Sequence, residues 1–252
     1  RIVAVGDLHG DLNYTLGTLR MAKVIDADGK WAGGNSTILV QTGNIIDYGP
    51  DTKDLLTLFA RLALEAKMIG GRVIQLLGSH EFRNMMGDLR FVKERPDEFL
   101  SPESRATTFG STGYLGFRLF HLPVVHRIGN IVFAHSGVAS KWANVDIHAA
   151  NRLVKAELDR YAVSSKPATS VNYPSLLDSD NPAWYKGYSA GLDRVICPVI
   201  ERVLSIMGVR RMVVGHTLQK DGRIRSRCGG FLIAINTGIS RFIQGKQSAL
   251  EI

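Results

Sequence analysis

The sequence predicts an α/β fold in which strands alternate with flanking helices in βαβ units. Two observations carry this. Short β-branched apolar runs alternate with longer stretches whose apolar residues recur at helical spacing. Each apolar run also ends abruptly in a polar residue of the kind that ligates metals or transfers protons, as expected where ligands gather at the carboxyl ends of strands. The chain has 252 residues, of which 45% are hydrophobic and 21% charged. That is enough to bury an ordinary core without a stabilising metal or disulfide. One domain spanning residues 1–252 is expected.

Taken in order, Ile2-Val3-Ala4-Val5 reads as a buried strand running into Gly6-Asp7-Leu8-His9. A helix is expected over Leu12–Val24, with Asp11 as its cap. Ile38-Leu39-Val40 leads to Gly43-Asn44. Asp51–Ile69 carries the stripe Leu55, Leu56, Leu58, Phe59, Leu62, Ala63 and Ala66, opened by Pro50-Asp51 and closed by Gly70-Gly71. Val73 to Leu77 leads to Gly78-Ser79-His80-Glu81, Ile131-Val132-Phe133 to His135, and Met212-Val213-Val214 to Gly215-His216. Ile147–Tyr161 and, despite Pro198, Leu192–Met207 read as helices. Glu94–Gly113 and Val163–Ala183, rich in polar and turn-forming residues, read as surface loops or lids. Met212–Ile252 reads as further strands joined by glycine-rich turns.

Composition narrows the function classes. The net charge of +8 favours an anionic partner: a phosphorylated substrate, RNA or an acidic protein, with a place in a larger assembly as one expectation. The basic residues are scattered, with only a mild cluster at Arg210, Arg211, Lys220, Arg223, Arg225 and Arg227. No aromatic interleaving of the single-strand-binding type accompanies it. No apolar run approaches the ~20 residues of a membrane helix, so no membrane partner is expected. Cys197 and Cys228, distant in sequence and in no CxxC pattern, read as structural thiols, in keeping with an intracellular and reducing compartment. Arg1 falls inside a strand pattern, so a targeting signal is expected to lie outside this sequence. The compartment is therefore unknown, and an organelle is compatible with the basic charge. His121, His126 and His148 read as surface or structural residues, and Met85 and Met86 as packing residues.

Five motif pieces, in order along nearly the whole chain, carry a family resemblance. Gly6-Asp7-Leu8-His9-Gly10 matches the GDxHG that opens phosphoprotein phosphatases, a branch of the calcineurin-like metallophosphoesterases. Gly43-Asn44-Ile45-Ile46-Asp47-Tyr48-Gly49 stands where that family has GDxxDRG, and Gly78-Ser79-His80-Glu81 where it has GNHE. His135 and His216 match its two later histidines. Gly49-Pro50-Asp51-Thr52, Asn84 to Val92, Trp184-Tyr185-Lys186-Gly187 and Asn236-Thr237-Gly238-Ile239-Ser240 resemble the Shewanella-like and ApaH-like branches, the former first.

The resemblance implies an α/β metallophosphoesterase β-sandwich of two mixed sheets flanked by helices, and two divalent cations that clamp a phosphate and activate water. By that reading Asp7 and His9 hold the first cation, and His135 and His216 hold the second together with position 79. Position 44 bridges both, with Asp7 as a second bridge. His80, oriented by Asp47, protonates the leaving group. Four departures stand against this. The bridging aspartate is Asn44, the ligand asparagine is Ser79, the phosphate-binding arginine is Tyr48, and a second expected arginine is Lys186.

Two dications about 4 Å apart repel by roughly 17 kcal/mol even at an effective dielectric near 20. A neutral amide offsets none of that charge. The expectation is therefore a pseudophosphatase, retained for binding or scaffolding, with no metal or with a single manganese, zinc or iron ion. The alternative is an active phosphomonoesterase, acting on phosphoprotein or on a nucleotide or cap, with two metals.

Overall fold

The computed structural model describes all residues except 94–97, 165–168, 170–171 and 189–190. Two mixed sheets form its centre. The first has the order β3-β2-β1-β9, built from β1 (Ile2–Val5), β2 (Ile38–Gln41), β3 (Arg72–Gln75) and β9 (Leu250–Glu251). Its three leading strands are parallel, and β9 is antiparallel to β1. The second has the order β4-β5-β6-β8-β7, built from β4 (Val125–Ile128), β5 (Ile131–Ala134), β6 (Arg211–Val214), β7 (Arg225–Arg227) and β8 (Leu232–Ala234). Here β5, β6 and β8 are parallel, with β4 and β7 antiparallel at the two edges.

The strands are apolar on both faces because both faces are covered. Ala4, Val40, Ile131, Phe133, Val213 and Ile233 alternate inward to form the core between the sheets. Their neighbours Val3, Val5, Leu39, Val132, Ala134, Met212 and Val214 face outward into a second, larger core. That core also contains Leu19 of α1 (Leu12–Met21), Leu55, Phe59 and Leu62 of α2 (Thr52–Met68), and further helical residues from the C-terminal half. A one-residue slip of any of these strands would exchange the two sets of contacts.

Asp11 caps α1 by accepting a hydrogen bond from the Tyr14 amide. The predicted helix ends after Lys23 and Val24 are trimmed, because the chain turns at Lys23, whose φ is 54°. The short helix α3 (Ser79–Met85) follows β3 directly. The stretch read as a loop over 94–113 contains α4 (Pro102–Phe109), with Ser101 at its N-cap accepting from the Ser104 amide and Pro102 in its first turn. Part of that stretch, residues 94–97, lies outside the described residues. Further along are α5 (Gly116–Leu119), α6 (Ser140–Ala143), α7 (Ile147–Ala162), the four-residue α8 (Pro174–Leu177) and α9 (Asp193–Met207). The second predicted loop, 163–183, thus also carries a short helix. Among the described residues no helix is long and apolar enough to cross a membrane.

One expectation is overturned. Cys197 and Cys228 are not free thiols but a disulfide joining residues 31 apart in sequence. Helix α9 places Cys197 beside the turn after β7, with the two Cα atoms 5.2 Å apart, within the range a disulfide spans. Nothing local to either cysteine announces that approach. The inference from thiols to a reducing compartment falls with it.

Candidate active site

The site lies where the carboxyl ends of β1, β2 and β3 meet those of β5 and β6, and the loops there are tightly constrained. His9, Asn44, Asp47, Tyr48 and His216 all have positive φ, between 44° and 68°. Non-glycine residues in this conformation cost about 1 kcal/mol or more each and persist only where surrounding contacts overdetermine them. Here the contacts are identifiable. Glu81, fully buried, accepts hydrogen bonds from the amides of Gly78, Asn44 and Ile45, each at 2.8 Å, tying the loop after β2 to the start of α3. Gly78 is required at that seam, because a Cβ there would sit 2.4 Å from the Asn44 amide nitrogen. The Asn236 side chain donates to the His216 carbonyl at 2.9 Å, so the closing Asn-Thr-Gly segment supports the histidine loop.

All the residues singled out in the sequence converge here. The Asp7 carboxylate accepts from the His216 amide at 2.9 Å and from the Asn44 side chain at 3.0 Å, and its Oδ2 lies 3.6 Å from Nε2 of His9. Asn44 has its amide orientation dictated. Its Oδ1 accepts from the backbone N–H of His80 at 2.9 Å and from the Ser79 hydroxyl at 3.3 Å. A flipped amide would set its NH2 against a backbone N–H, which has no acceptor to offer. The NH2 therefore points at Asp7.

The histidines divide into two groups. Nδ1–H of His135 donates to the Thr42 carbonyl at 2.8 Å, leaving Nε2 as the acceptor for Nδ1–H of His216 at 3.2 Å. Nδ1 of His9 lies 3.3 Å from the Ile46 carbonyl. Burial holds all three neutral: it lowers His9 to about 3 and His216 to about 4, and keeps His135 well below the ordinary imidazole range. Neighbouring positive charge assists at His216, from Lys186 first and then His80 and Arg83. Burial likewise raises Asp7 to about 7, against the opposing bonds from His216 and Asn44.

On the other side, Nδ1 of His80 meets Oδ2 of Asp47 at 2.7 Å. Asp47 is held in turn by two residues that sequence reasoning missed. Asn84 donates to both carboxylate oxygens at 3.1 and 3.0 Å, and Arg105 reaches Oδ1 at 3.1 Å. The Arg105 guanidinium is 1% exposed and lies over Phe99 and Phe109 at 4.7 and 5.1 Å, with Nε donating to Asn84. Arg105 sits on α4, in the stretch read as a loop. The Ser101-Pro102 cap signature was the signal that could have found the helix.

Above these groups opens a cleft of about 690 Å³ whose lining includes Tyr48, Ser79, His80, Lys186 and His216. Tyr48 packs against the His9 and His80 rings, with centroids 4.9 and 5.3 Å apart. Sequence reasoning also passed over Arg83, which lines the same cleft.

Residues 1–220, which contain these groups, match one family model, calcineurin-like phosphoesterase. The chain belongs to the calcineurin-like phosphoesterase family. An uncharacterised protein of Schizosaccharomyces pombe is 34% identical across the whole of this chain and 76% of its own length. Shewanella-like protein phosphatase 2 of Arabidopsis thaliana is 28% identical, again over all of this chain and 75% of its own. Among solved structures, a cold-active protein-tyrosine phosphatase of a Shewanella species superposes with a TM-score of 0.79 at 29% identity, covering 94% of this chain and 71% of that one. Divalent-metal use is thus a property of the family. In this calcineurin-like phosphoesterase the carboxylate beside His9 and His216 is that of Asp7, and the Asn44 amide facing it offers hydrogens instead of lone pairs.

Proposed function

We propose that this calcineurin-like phosphoesterase is a pseudophosphatase: its cleft binds a phosphorylated ligand, but it does not assemble the dinuclear centre that hydrolysis needs. One observation carries the reading. Asn44, at the bridging position, turns an NH2 toward Asp7 because its oxygen is committed to His80 and Ser79. An N–H cannot ligate a cation, and rotating the amide would set its NH2 against the His80 N–H. Position 44 then contributes no anion to offset the repulsion between a pair of dications, and Asp7 is the one carboxylate left to do so. The donors that remain (Asp7, His9, His135 and His216) fit at most one divalent cation of the manganese, zinc or iron type. When bound, such an ion would supply Lewis-acid polarisation of a phosphate oxygen.

The net charge of +8 and the basic residues of the cleft support an anionic ligand. The protein-tyrosine phosphatase activity named for the Shewanella structure makes a phosphorylated protein the first class to examine. A second reading, an active metal-dependent phosphomonoesterase, draws on the His80–Asp47 pair at 2.7 Å, which retains the geometry of a general acid and its orienting carboxylate.

Elemental analysis and phosphatase assay of the purified protein, alongside the double variant Asn44→Asp, Ser79→Asn, separate the two. The pseudophosphatase reading expects fewer than two metals per chain, no manganese-dependent turnover, and recovery of both in the variant. Two metals per wild-type chain, with turnover lost on His216→Ala, would establish the active enzyme instead.

A further inference from the structure

Arg83 has no part in the metal or acid machinery, yet its guanidinium is built into the wall of the cleft. It lies over the rings of Phe91 and Trp184, at 5.0 and 5.2 Å from their centroids. Both rings line the same cavity, with Tyr48 and Lys186. Its side chain is 25% exposed, and its charge bears on both Tyr48 and His216. Contact with two aromatic faces fixes the plane of a guanidinium where a lysine would be held less well.

The counter-ion arrangement is unusual. Nη1 of Arg83 bonds Oδ2 of Asp88 at 2.6 Å, while Arg90 grips the same carboxylate with two bonds of 2.8 Å, Nε to Oδ1 and Nη2 to Oδ2. One carboxylate thus serves two arginines. Arg90 alone satisfies both of its oxygens, so Arg83 can leave it without stranding a charge.

We propose that Arg83 is the specificity-determining residue that holds the phosphate of a phosphomonoester in this cleft, supplying the guanidinium that Tyr48 no longer provides. As the phosphate enters, Arg83 exchanges Asp88 for the incoming oxygens and Arg90 retains Asp88. Lys186, on the same cleft, adds a second positive charge, and Asp180 is the carboxylate among the lining residues that limits the net potential. The assignment rests on the reading of the cleft as a phospho-ligand site.

The test is calorimetric titration with inorganic phosphate at low ionic strength, on chelator-treated and untreated protein. The variants are Arg83→Met, Arg83→Lys, Arg90→Met and Asp88→Asn, each with its melting temperature recorded. Loss of one charge-assisted guanidinium–phosphate pair is expected to weaken binding about tenfold or more in Arg83→Met. Arg83→Lys should recover only part of it. Arg90→Met should weaken binding severalfold, because Asp88 then depends on Arg83 alone, and Asp88→Asn should strengthen it. No saturable phosphate binding by the wild type, an Arg83→Met variant that binds like it, or a weakened Asp88→Asn variant would each overturn the assignment. Metal content and turnover are separate readouts. If the wild type carries two metals and hydrolyses substrate, the pseudophosphatase reading fails while the Arg83 comparison in chelated protein still stands.

Discussion

The two halves of the site are held together by different physics. On the acid side, His80, Asp47, Asn84 and Arg105 form a charge-balanced chain in which the one carboxylate is matched by a guanidinium buried between Phe99 and Phe109. On the other side, Asp7, Asn44, Ser79, His135 and His216 are joined by hydrogen bonds, and the imidazole nearest the Asp7 carboxylate, His9 at 3.6 Å, is held neutral by burial. The first arrangement is complete without any added ion. The second meets its carboxylate with neutral donors, the Asn44 NH2 and the His216 amide. The difference teaches that a buried carboxylate can be held either by an opposite charge or by neutral donors, and Asn44 supplies the second solution.

The largest effect should come from breaking the acid side. Arg105→Met removes the buried guanidinium and leaves the Asp47 carboxylate with Asn84 and His80 alone, and removal of one partner of a buried pair costs about 3–5 kcal/mol. Chemical denaturation should show a loss of that order. A smaller loss would mean that Asn84 and His80 suffice to hold the carboxylate.

The reverse experiment sharpens the Asp7 side. Asn44→Asp sets a second carboxylate beside Asp7 and near Glu81, and should cost about 1–3 kcal/mol in metal-free protein by burying an unpaired like charge. Manganese or zinc should then restore the lost stability by mass action and raise the melting temperature of the variant more than that of the wild type. Equal metal-induced shifts would remove Asn44 from its assigned part.

Acid should act on the Asp7 side as well. His9, His135 and His216 have folded pKa values depressed below the ordinary 6.5. Their neutral forms therefore favour the fold above that value, and the contribution is lost as pH falls toward about 4 for His216 and about 3 for His9. Asp7, raised to about 7, acts oppositely and offsets part of the loss. The unfolding free energy of the metal-free protein, read by urea denaturation, should fall between about pH 6.5 and 4 by roughly 2–3 kcal/mol per pH unit, three imidazoles being set against one carboxylate. A flat profile would mean that these rings are open to water.

The smallest effect belongs to Ser79→Ala. It removes one 3.3 Å hydrogen bond to an amide oxygen that keeps the His80 amide as donor, so a change of about 0.5–1 kcal/mol is expected in urea denaturation. A larger value would give the serine a packing or water-holding part.

Much of this was readable along the chain. The strand runs ending in Asp7, Asn44, Ser79, His135 and His216 marked both the fold and the residues that meet, because local periodicity places each polar group at a strand end. Arg105 was not readable. It belongs to a helix whose cap signature, Ser101-Pro102, was outweighed by the polar composition around it, and its partner Asp47 lies far off in sequence. Arg83 was hidden differently, since an arginine one turn into a helix looks like surface until Phe91 and Trp184 are seen on either side of it.

By itself, then, the sequence determined the alternation of strands and helices, the family-like order of motifs and the four altered positions. Each of these depends on neighbours a few residues apart or on residue identity. Only the tertiary structure decided which way the Asn44 amide faces, that Cys197 reaches Cys228, and that Arg105 neutralises Asp47. Those outcomes depend on groups distant in sequence arriving within hydrogen-bonding or bonding distance, and no local pattern encodes such an encounter.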